Sequence, residues 1–343
     1  VEIAKAILHD SKIIIFDEPT ASISRKNTET LFRIIHQLKE KGVGMIYISH
    51  RLEEFNHIAD RVTVLRDGVR TGTMLYKDTT NNEIIKLMVG REIKATHTED
   101  YTDHNHIKIS VKNLENAHVQ RLSFDVYAGE ILGFAGLVGS GRTEILRAMF
   151  GADESSGEIY IDGEKKNIRS PKDAVDAGIG LLTEDRKGQG LVLGTSIRKN
   201  VTLPILHRLW NGLFIDQKKE KACVQQNLDK LRVVASSQEQ TAGTLSGGNQ
   251  QKVVLARWLE SGVKILFFDE PTRGIDVGAK AEIYDLMREF TQEGGTVVMV
   301  SSDLPELLAL SNRIMVMRQG KMVGEVLRKD ASEEKLMHLM VGV

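Results

Sequence analysis

The sequence predicts an α/β fold built on parallel strands, and two observations lead to that prediction. Short continuous apolar runs, such as residues 13–16 and 265–268, are typical of central strands that are buried on both faces. Each run is followed by a segment whose apolar residues recur at the spacing of one helix face. In the first such segment these residues are Leu31, Ile34, Ile35 and Leu38. Strands that alternate with amphipathic helices indicate β–α–β units and therefore a parallel sheet.

Composition places the chain among globular proteins and excludes several function classes. It has 343 residues, 41% hydrophobic and 27% charged, and this length gives a prior of about two domains. Lysine and arginine number 46 against 47 acidic residues, and the net charge of −1 disfavours bulk binding of nucleic acid or anionic lipid. The net charge does not exclude a local basic patch. The single cysteine, Cys223, excludes an intrachain disulfide and favours a reducing compartment. No apolar run approaches the ~18 residues of a membrane span, and no secretory leader opens the sequence.

An internal repeat with a constant offset of 252 residues organises the chain. Asp17-Glu18-Pro19-Thr20 recurs as Asp269-Glu270-Pro271-Thr272, and Met88-Val89-Gly90 recurs as Met340-Val341-Gly342. The amphipathic stripe of the first copy also has apolar counterparts at this offset, namely Ile283, Leu286, Met287 and Phe290. One register held over some 90 positions indicates a duplicated domain, with a period too long for a solenoid.

The repeat predicts the domain organisation. Residues 1–90 are interpreted as the back part of a first copy, residues 107–343 as a complete second copy, and residues 91–106 as a polar linker. Val1 corresponds to Val253, so 146 positions of the second copy have no counterpart and we expect a chain cut within a domain. The histidines in or near the linker are His97, His104, His106 and His118. A metal site is the alternative there, but their spacing matches no common ligand pattern and favours a solvated linker.

A glycine-rich loop between a short apolar strand and a helix is the first motif that carries chemistry. Residues 136–143 fit the phosphate-binding pattern G-x-x-x-x-G-K-[ST], with Arg142 in place of the lysine. Glycines let backbone N–H groups approach phosphate oxygens at the positive end of the following helix. The Thr143 hydroxyl is a candidate Mg²⁺ ligand, and the planar guanidinium of Arg142 is expected to change the phosphate geometry. The alternative is an ordinary glycine-rich turn.

Two acidic pairs end apolar strands, Asp17-Glu18 in the first copy and Asp269-Glu270 in the second. Phosphate-loop proteins hold Mg²⁺ with an Asp at the carboxyl end of a buried strand. The adjacent Glu is a candidate for polarising the attacking water, a role worth about 10²–10⁴ in rate. The alternative is a helix cap on the following turn. Recurrence in register, beside a phosphate loop, favours the catalytic interpretation.

A third motif is the run Leu245-Ser246-Gly247-Gly248-Asn249-Gln250-Gln251-Lys252, which leads into a helix predicted over residues 253–259. Ser246 and the two glycines would expose backbone amides at the start of this helix, which is a second anion site. A plain capped helix would explain Ser246 but not two consecutive glycines.

Together the three motifs resemble those of ATP-binding cassette (ABC) ATPases. Residues 245–252 resemble their signature motif, residues 136–143 their Walker A loop, residues 269–272 their Walker B motif and residues 274–276 their D-loop. With Thr183-Glu184-Asp185-Arg186-Lys187 added, the set resembles the tandem-cassette ATPases of bacterial monosaccharide importers of the ribose, galactose and xylose type. The implied fold class is α/β, a P-loop NTPase ABC cassette with a helical subdomain, in one complete copy preceded by a partial copy.

The resemblance implies composite nucleotide sites, each formed by the Walker motifs of one cassette and the signature of the other. The implied catalytic residues are Glu18, His50 and Glu270. The implied metal ligands are Thr143, Asp17 and Asp269. The implied nucleotide-binding residues are Gly136, Gly139, Ser140, Gly141, Arg142, Thr143, Glu144, Glu184, Ser246, Gly247, Gly248 and Gln250. Ser302 stands where the first copy has His50, so we expect the site of the second copy to bind nucleotide and hydrolyse it slowly or not at all.

ATP and Mg²⁺ are the implied cofactors, and transmembrane permease subunits are the implied partners, with an extracytoplasmic sugar-binding protein as an indirect one. Nucleic acid and a lipid anchor are not expected. The implied location is peripheral, at the cytoplasmic face of the inner (plasma) membrane. Alternatives are the ATPase of a nucleoside importer and a soluble tandem cassette not linked to transport. The transported sugar cannot be named, because the ATPase subunit does not touch it.

Three weaker expectations complete the sequence analysis. Residues 203–210 suit either the core of the helical subdomain or a groove that receives a permease helix. The isolated chain is expected to have little ATPase activity, whereas the full-length parent hydrolyses ATP. Apolar strands at residues 13–16 and 45–49 predict poor solubility, because the neighbours of central strands would be unpaired or exposed.

Overall fold

The computed structural model describes residues 11–20, 25–49, 52–66, 68–89 and 100–342. The chain divides into two compact units. The first unit is assigned to residues 1–94 with 276–278, and the second to residues 95–275 with 279–343. Among the described residues, no helix is both long enough and apolar enough to cross a bilayer.

The first unit contains two small two-stranded sheets and three helices among its described residues. Its elements are β1 (Ile13–Asp17), α1 (Arg25–Glu40), β2 (Gly44–Ile48), α2 (Leu52–Ile58), β3 (Arg61–Arg66), β4 (Val69–Leu75) and α3 (Asn81–Val89). Strand β1 pairs in parallel with β2, and β3 pairs antiparallel with β4. A short 3₁₀ turn at Tyr76–Asp78 connects β4 to α3.

Only one face of β1 is buried, although its apolar run is typical of a strand buried on both faces; the sequence analysis expected the neighbours of this strand to be unpaired or exposed. Ile14 and Phe16 pack with residues of α1 in a small core. Ile13 and Ile15 point the other way and are 68% and 63% exposed. The physical reason is the two-residue period of a strand, which sends alternate side chains to opposite faces while α1 covers only one of them.

The second unit holds the larger core and the remaining strands and α-helices of the described residues. They are β5 (Asp103–Glu115), β6 (Leu122–Ala128), β7 (Ile131–Gly136), α4 (Arg142–Met149), β8 (Ser156–Ile161), β9 (Glu164–Lys166), α5 (Pro171–Asp176), β10 (Ile179–Leu182), α6 (Ile197–Thr202), α7 (Gln217–Lys230), α8 (Gly247–Ser261), β11 (Ile265–Asp269), α9 (Val277–Gln292), β12 (Thr296–Val300), α10 (Leu304–Leu310), β13 (Arg313–Arg318), β14 (Lys321–Leu327) and α11 (Glu333–Val341). Strand β5 begins within the predicted linker, because Asp103 already pairs with Ala128 of β6.

Two sheets organise the second unit. The six-stranded sheet has the order β10-β11-β12-β7-β13-β14, and its first five strands run parallel while β14 is antiparallel to β13. The second sheet has the order β6-β5-β8-β9 and is antiparallel. Because β7, β11 and β12 are neighbours and parallel, their carboxyl ends meet at one edge of the sheet. Ligands of open α/β sheets bind at this edge.

Helix α8 is the most deeply buried helix of this core. Its side chains from Val253 to Ala256 are buried, and the indole Nε1 of Trp258 donates a hydrogen bond to the carbonyl oxygen of Leu181 at 2.9 Å. The Trp258 ring lies edge-on to Phe150, with 6.0 Å between the ring centroids. These contacts fix α8 against β10 and α4, so the start of α8 has a defined position in the unit.

The internal repeat is visible element by element. The elements β1, α1, β2, α2, β3, β4 and α3 begin and end 252 residues before β11, α9, β12, α10, β13, β14 and α11. An equivalent backbone hydrogen bond follows the first strand of each set. Glu18 N donates to Ile48 O at 3.0 Å, and Glu270 N donates to Val300 O at 2.9 Å. The predicted repeat is therefore a structural repeat as well.

Candidate functional site

The glycine loop, residues 136–143, connects the carboxyl end of β7 to the start of α4. Gly139 and Gly141 have φ of 79° and 98°, a region that L side chains rarely adopt. Val138 is 93% exposed at the tip of the loop, and a Cβ added to Gly139 would meet nothing within 4 Å. The loop therefore presents an open backbone surface at the amino end of α4, where the helix dipole favours an anion.

Two further features of this loop fit a phosphate group. The Ser140 hydroxyl is buried and makes no hydrogen bond within the described residues. A Cβ on Gly136 would lie 2.3 Å from the same hydroxyl and 2.8 Å from the Met317 carbonyl oxygen, so no larger residue fits there. An unsatisfied buried hydroxyl beside an open glycine backbone is suited to hydrogen bonding with a bound anion.

Thr143 and Asp269 lie together at the same edge of the sheet. The Thr143 Oγ1 donates to Asp269 Oδ1 at 2.9 Å, which joins the first turn of α4 to the end of β11. Burial raises the pKa of Asp269 to about 6, and the Thr143 hydrogen bond opposes that shift. A hydroxyl and a buried carboxylate in contact form an oxygen ligand set of the kind that Mg²⁺ uses.

Arg142 is buried beneath the loop rather than extended into it. Its Nη1 donates to the Ser301 carbonyl oxygen at 2.5 Å, and its Nη2 lies 3.5 Å from Glu270 Oε1. Burial lowers the pKa of the Arg142 guanidinium, while the charges of Glu270 and Asp269 raise it. The planar fork thus bridges β12 to the acidic pair, a contact that the sequence did not predict.

Glu270 is held on its other oxygen as well. The backbone N–H and the hydroxyl of Ser302 both donate to Glu270 Oε2, at 3.0 Å and 2.9 Å. The backbone of Glu270 itself has a φ of 48°, in the left-handed region, as does Glu18 with 46°. Both carboxylate oxygens of Glu270 therefore have protein partners.

The signature segment, residues 245–252, forms the start of α8. The Ser246 hydroxyl caps the helix by accepting from Asn249 N at 3.5 Å. A Cβ on Gly248 would lie 2.5 Å from Ala279 Cβ, and one on Gly247 would lie 2.9 Å from the Gly274 carbonyl oxygen. The two consecutive glycines thus have a packing reason, which the sequence analysis did not find. The buried Gln250 amide donates to the Ala242 carbonyl oxygen at 3.3 Å, so this predicted nucleotide-binding side chain faces the protein interior.

Residues 183–190 form a loop that is tied to several site elements. Glu184, predicted to bind nucleotide, forms an ion pair with Arg273, which lies three residues after Glu270. Arg186 donates to the Gly247 carbonyl oxygen at 3.0 Å and to the Arg273 carbonyl oxygen at 2.8 Å. Glu144, also predicted, lies half-buried in the first turn of α4.

A buried carboxylate that the sequence analysis missed connects the segments that follow β11 and β12. Glu306 of α10 accepts hydrogen bonds from Thr272 at 2.8 Å and from Ser301 at 2.5 Å. The first unit repeats the arrangement, with Glu54 accepting from Thr20 at 2.6 Å and from Ser49 at 2.9 Å. The signal was available, because Glu54 and Glu306 are separated by the offset of the repeat and each lies in a short helix.

The acidic pair of the first unit lies at the end of β1. Asp17 is exposed and Glu18 is half-buried. His50, the predicted γ-phosphate-sensing residue, lies outside the described residues. The composite site predicted from these residues and the signature segment stays a prediction.

An elongated groove runs along α5, β10 and the segment after α6. Its volume is about 870 Å³. The residues that line it include Phe150, Pro171, Val175, Leu181, Pro204 and Trp258. Pro204 and His207 in the lining belong to the segment for which a core and a groove were the alternatives. Ile205 and Leu209 of that segment are buried, so the segment contributes both to the core and to the wall of this groove; binding of a permease helix stays a prediction.

Metal sites made of histidine or cysteine are not found in the part of the chain that the structure describes. No group of three or more His, Cys, Asp or Glu residues there could hold an ion by itself. His106 instead pairs with Asp162 at 2.9 Å, and His104 packs edge-on to Tyr127.

Comparison with known proteins identifies related sequences. The family described as ABC transporter matches residues 119–273, which contain the glycine loop and the signature segment. The ribose import ATP-binding protein RbsA of Lacticaseibacillus paracasei is 49% identical, over 100% of this chain and 69% of that protein. The protein of the same name from Lactococcus lactis subsp. cremoris is 50% identical, over 100% of this chain and 70% of that protein.

Solved structures of ATP-binding cassettes share the fold. A nucleotide-free cassette from an ABC transporter matches with a TM-score of 0.59 at 19% identity, over 69% of this chain and 100% of that one. A dimeric cassette in a post-hydrolysis state, bound to ADP and phosphate, matches with a TM-score of 0.56 at 23% identity, over 64% of this chain and 98% of that one. The predicted α/β phosphate-loop cassette fold is confirmed.

Proposed function

The chain belongs to the ATP-binding proteins of ABC transporters, and from this premise we propose that it supplies the energy of ATP hydrolysis to the import of ribose or a related monosaccharide. The observation that carries the proposal is the identity of about half of all residues, along the entire chain, with ribose import ATP-binding proteins. The ABC family is a family of ATPases, so ATP is the nucleotide that the site binds.

We assign the phosphates of ATP to the glycine loop. The open backbone at Gly139 and Gly141 and the free hydroxyl of Ser140 support this assignment. Thr143 and Asp269 are the residues that would hold Mg²⁺, which supplies charge neutralisation at the phosphate oxygens when bound. Their oxygens lie 2.9 Å apart, so one ion could contact both of them with little rearrangement.

The site of the second unit is proposed to hydrolyse ATP slowly. A general base must have a free oxygen for the proton of the attacking water. Glu270 Oε2 accepts two hydrogen bonds from Ser302, and Arg142 lies 3.5 Å from Oε1. Serine also lacks the cationic ring that His50 provides in the first copy. We therefore assign catalytic turnover to Glu18 and His50 of the first copy, which keeps the histidine.

The groove along α5 and β10 is proposed to bind a helix of a membrane-spanning permease subunit. Its lining is largely apolar, and the loop of residues 183–190 contributes Thr183, Gln189 and Gly190 to it. The same loop contacts the signature segment through Arg186. A helix seated in the groove would thus touch a loop that is bonded to the nucleotide site. This contact would place the protein at the cytoplasmic face of the membrane.

Turnover by the purified chain tests the assignment of a slow site. We expect magnesium-dependent ATP binding, with little ATPase activity that Glu270→Gln does not change by more than about twofold. The exposed Glu289→Gln variant is the matched control. Robust magnesium-dependent turnover that Glu270→Gln abolishes would refute the assignment.

Co-purification tests the role in transport. The chain is expressed with its candidate permease, and Val175→Arg in the groove is compared with Val234→Arg on the exposed surface outside it. We expect the groove variant alone to lose the permease. Retention of the permease by Val175→Arg would contradict the assignment of the groove. ATP-driven uptake of a nucleoside in place of ribose would contradict the proposed substrate class.

A further inference from the structure

A small hairpin between the 3₁₀ segment Leu203–Arg208 and α7 presents three large apolar side chains to solvent. The hairpin spans residues 209–216, with Trp210 and Ile215 paired across it. Asp216 N donates to the Leu209 carbonyl oxygen at 2.9 Å, and Asn211 N donates to the Phe214 carbonyl oxygen at 3.0 Å. Its shape is therefore fixed by its own backbone bonds.

The turn at the tip of the hairpin is closed by one side chain. Asn211 Oδ1 accepts from Leu213 N at 3.2 Å and from Phe214 N at 2.8 Å. Gly212 has a φ of 97°, which a larger residue would adopt only under strain. The tip is thus a built turn whose apolar side chains are held outward.

Exposure at the tip is far above that expected for residues of this kind. Trp210, Leu213 and Phe214 are 60%, 78% and 73% exposed, whereas Leu209 at the base of the hairpin is buried. Contiguous exposed apolar side chains on a rigid element indicate an interaction site. Tryptophan with leucine and phenylalanine is the set that enters the interfacial layer of a bilayer.

The charges around the hairpin are predominantly positive. Arg208, Lys218, Lys219 and Lys221 are exposed. The nearby acidic residues are engaged by the protein: Asp216 accepts from the backbone N–H groups of Lys218 and Lys219 at the start of α7. Glu220 is buried and forms an ion pair with Arg198. The local excess of cations, on a chain whose net charge is −1, is complementary to an anionic surface.

We propose that this hairpin is a membrane-surface contact, in which Trp210, Leu213 and Phe214 enter the headgroup layer of an anionic bilayer while the surrounding lysines and Arg208 bind lipid phosphates. The hairpin exposes only three large apolar side chains, and a specific protein interface needs about 800 Å² from each partner. A bilayer accepts such a tip without a complementary pocket. The contact gives the ATPase an affinity for the membrane that does not depend on the permease.

Intrinsic fluorescence tests the proposal directly, because the chain has two tryptophans in opposite environments. Trp258 is buried and hydrogen-bonded, so Trp210 is the residue whose emission reports contact with lipid. The full chain is titrated with vesicles of phosphatidylcholine alone and with vesicles containing one quarter phosphatidylglycerol. We expect a blue shift of the emission with the anionic vesicles, which Trp210→Phe removes and high salt weakens.

Variants separate the hairpin from the rest of the surface. Leu213→Asp with Phe214→Asp is expected to lower the vesicle partition coefficient at least about tenfold, and Lys218→Glu about fivefold. Val234→Asp, at another exposed apolar residue, is the matched control and is expected to bind as the wild type does. Unchanged thermal unfolding and ATP binding of each variant show that the fold is intact.

Three results would overturn the proposal. The first is the absence of a blue shift with anionic vesicles, and the second is equal vesicle binding by the wild type and the Leu213→Asp/Phe214→Asp variant. The third is the finding that this variant binds vesicles as the wild type does but no longer co-purifies with a permease in detergent. The last result would identify a protein partner instead of lipid. If the wild type does not bind ATP, the proposed function is refuted, but the vesicle-binding result is unaffected. Failure of the proposed function and failure of the membrane proposal are therefore distinguishable.

Discussion

Replacing Arg142 by methionine tests the buried contact on which the proposal of slow hydrolysis at the second site rests. The side chain is 6% exposed, donates to the Ser301 carbonyl oxygen at 2.5 Å and lies 3.5 Å from Glu270 Oε1. Breaking a buried ion pair from one side costs about 3–5 kcal/mol. Glu270 keeps its two hydrogen bonds from Ser302, so we expect the lower end, a loss of about 3 kcal/mol in the free energy of unfolding.

Urea unfolding followed by Trp258 emission measures this loss in the second unit, because that indole is buried there. Arg147→Met is the matched control from the same helix. Arg147 makes a bidentate pair with Asp153, at 2.8 Å and 2.7 Å, but both side chains are about one third exposed. We expect the control to cost about 1 kcal/mol or less. A loss for Arg142→Met no larger than that of the control would refute the buried bridge.

Three other predictions follow from burial and pKa. Burial raises the pKa of Glu306 above 4.5, so the free energy of unfolding that this group contributes falls as pH rises from 4.5 through its folded pKa. We expect Glu306→Gln to lessen this fall in urea titrations above pH 4.5, while the part that is due to Asp269 remains; an unchanged slope would contradict it. Burial raises the pKa of Cys223 to about 11, and we expect alkylation at pH 8 to be about a hundredfold slower in the folded than in the unfolded chain. Equal rates would show that the thiol is not shielded. Ile14 is buried and Ile15 exposed, so Ile14→Thr is expected to cost about 2 kcal/mol by calorimetry and Ile15→Thr less than about 0.5. Similar losses would contradict the assignment of the faces of β1.

The parts of the fold that sequence predicted are those encoded locally or repeated. The glycine loop needs its residues at fixed spacing, and the constant offset of 252 is a property of the letters alone. Each predicted acidic pair follows its strand, and Thr143 lies against Asp269 as a phosphate-loop arrangement requires. Residue type and spacing along the chain were sufficient to predict these features.

The features that sequence did not predict are long-range side-chain contacts. Arg142 is 128 residues from Glu270, and nothing in the loop pattern indicates that its guanidinium lies beneath the loop. Gly248 was predicted to bind an anion. A Cβ at this position would lie 2.5 Å from Ala279 Cβ, so Gly248 also has a packing role that the sequence did not indicate. The exposed face of β1 depends on what covers the strand, which an apolar run does not specify.

Magnesium-dependent ATP binding by the wild-type chain and by Thr143→Val is the most direct measurement of the proposed site. Valine keeps the shape of the threonine but removes the hydroxyl that contacts Asp269. In calorimetric titrations we expect ATP to bind the wild type more tightly with Mg²⁺ than without it, and the variant to lose at least about tenfold of that gain. An equal gain from Mg²⁺ in both proteins, or no ATP binding by the wild type, would contradict the assignment.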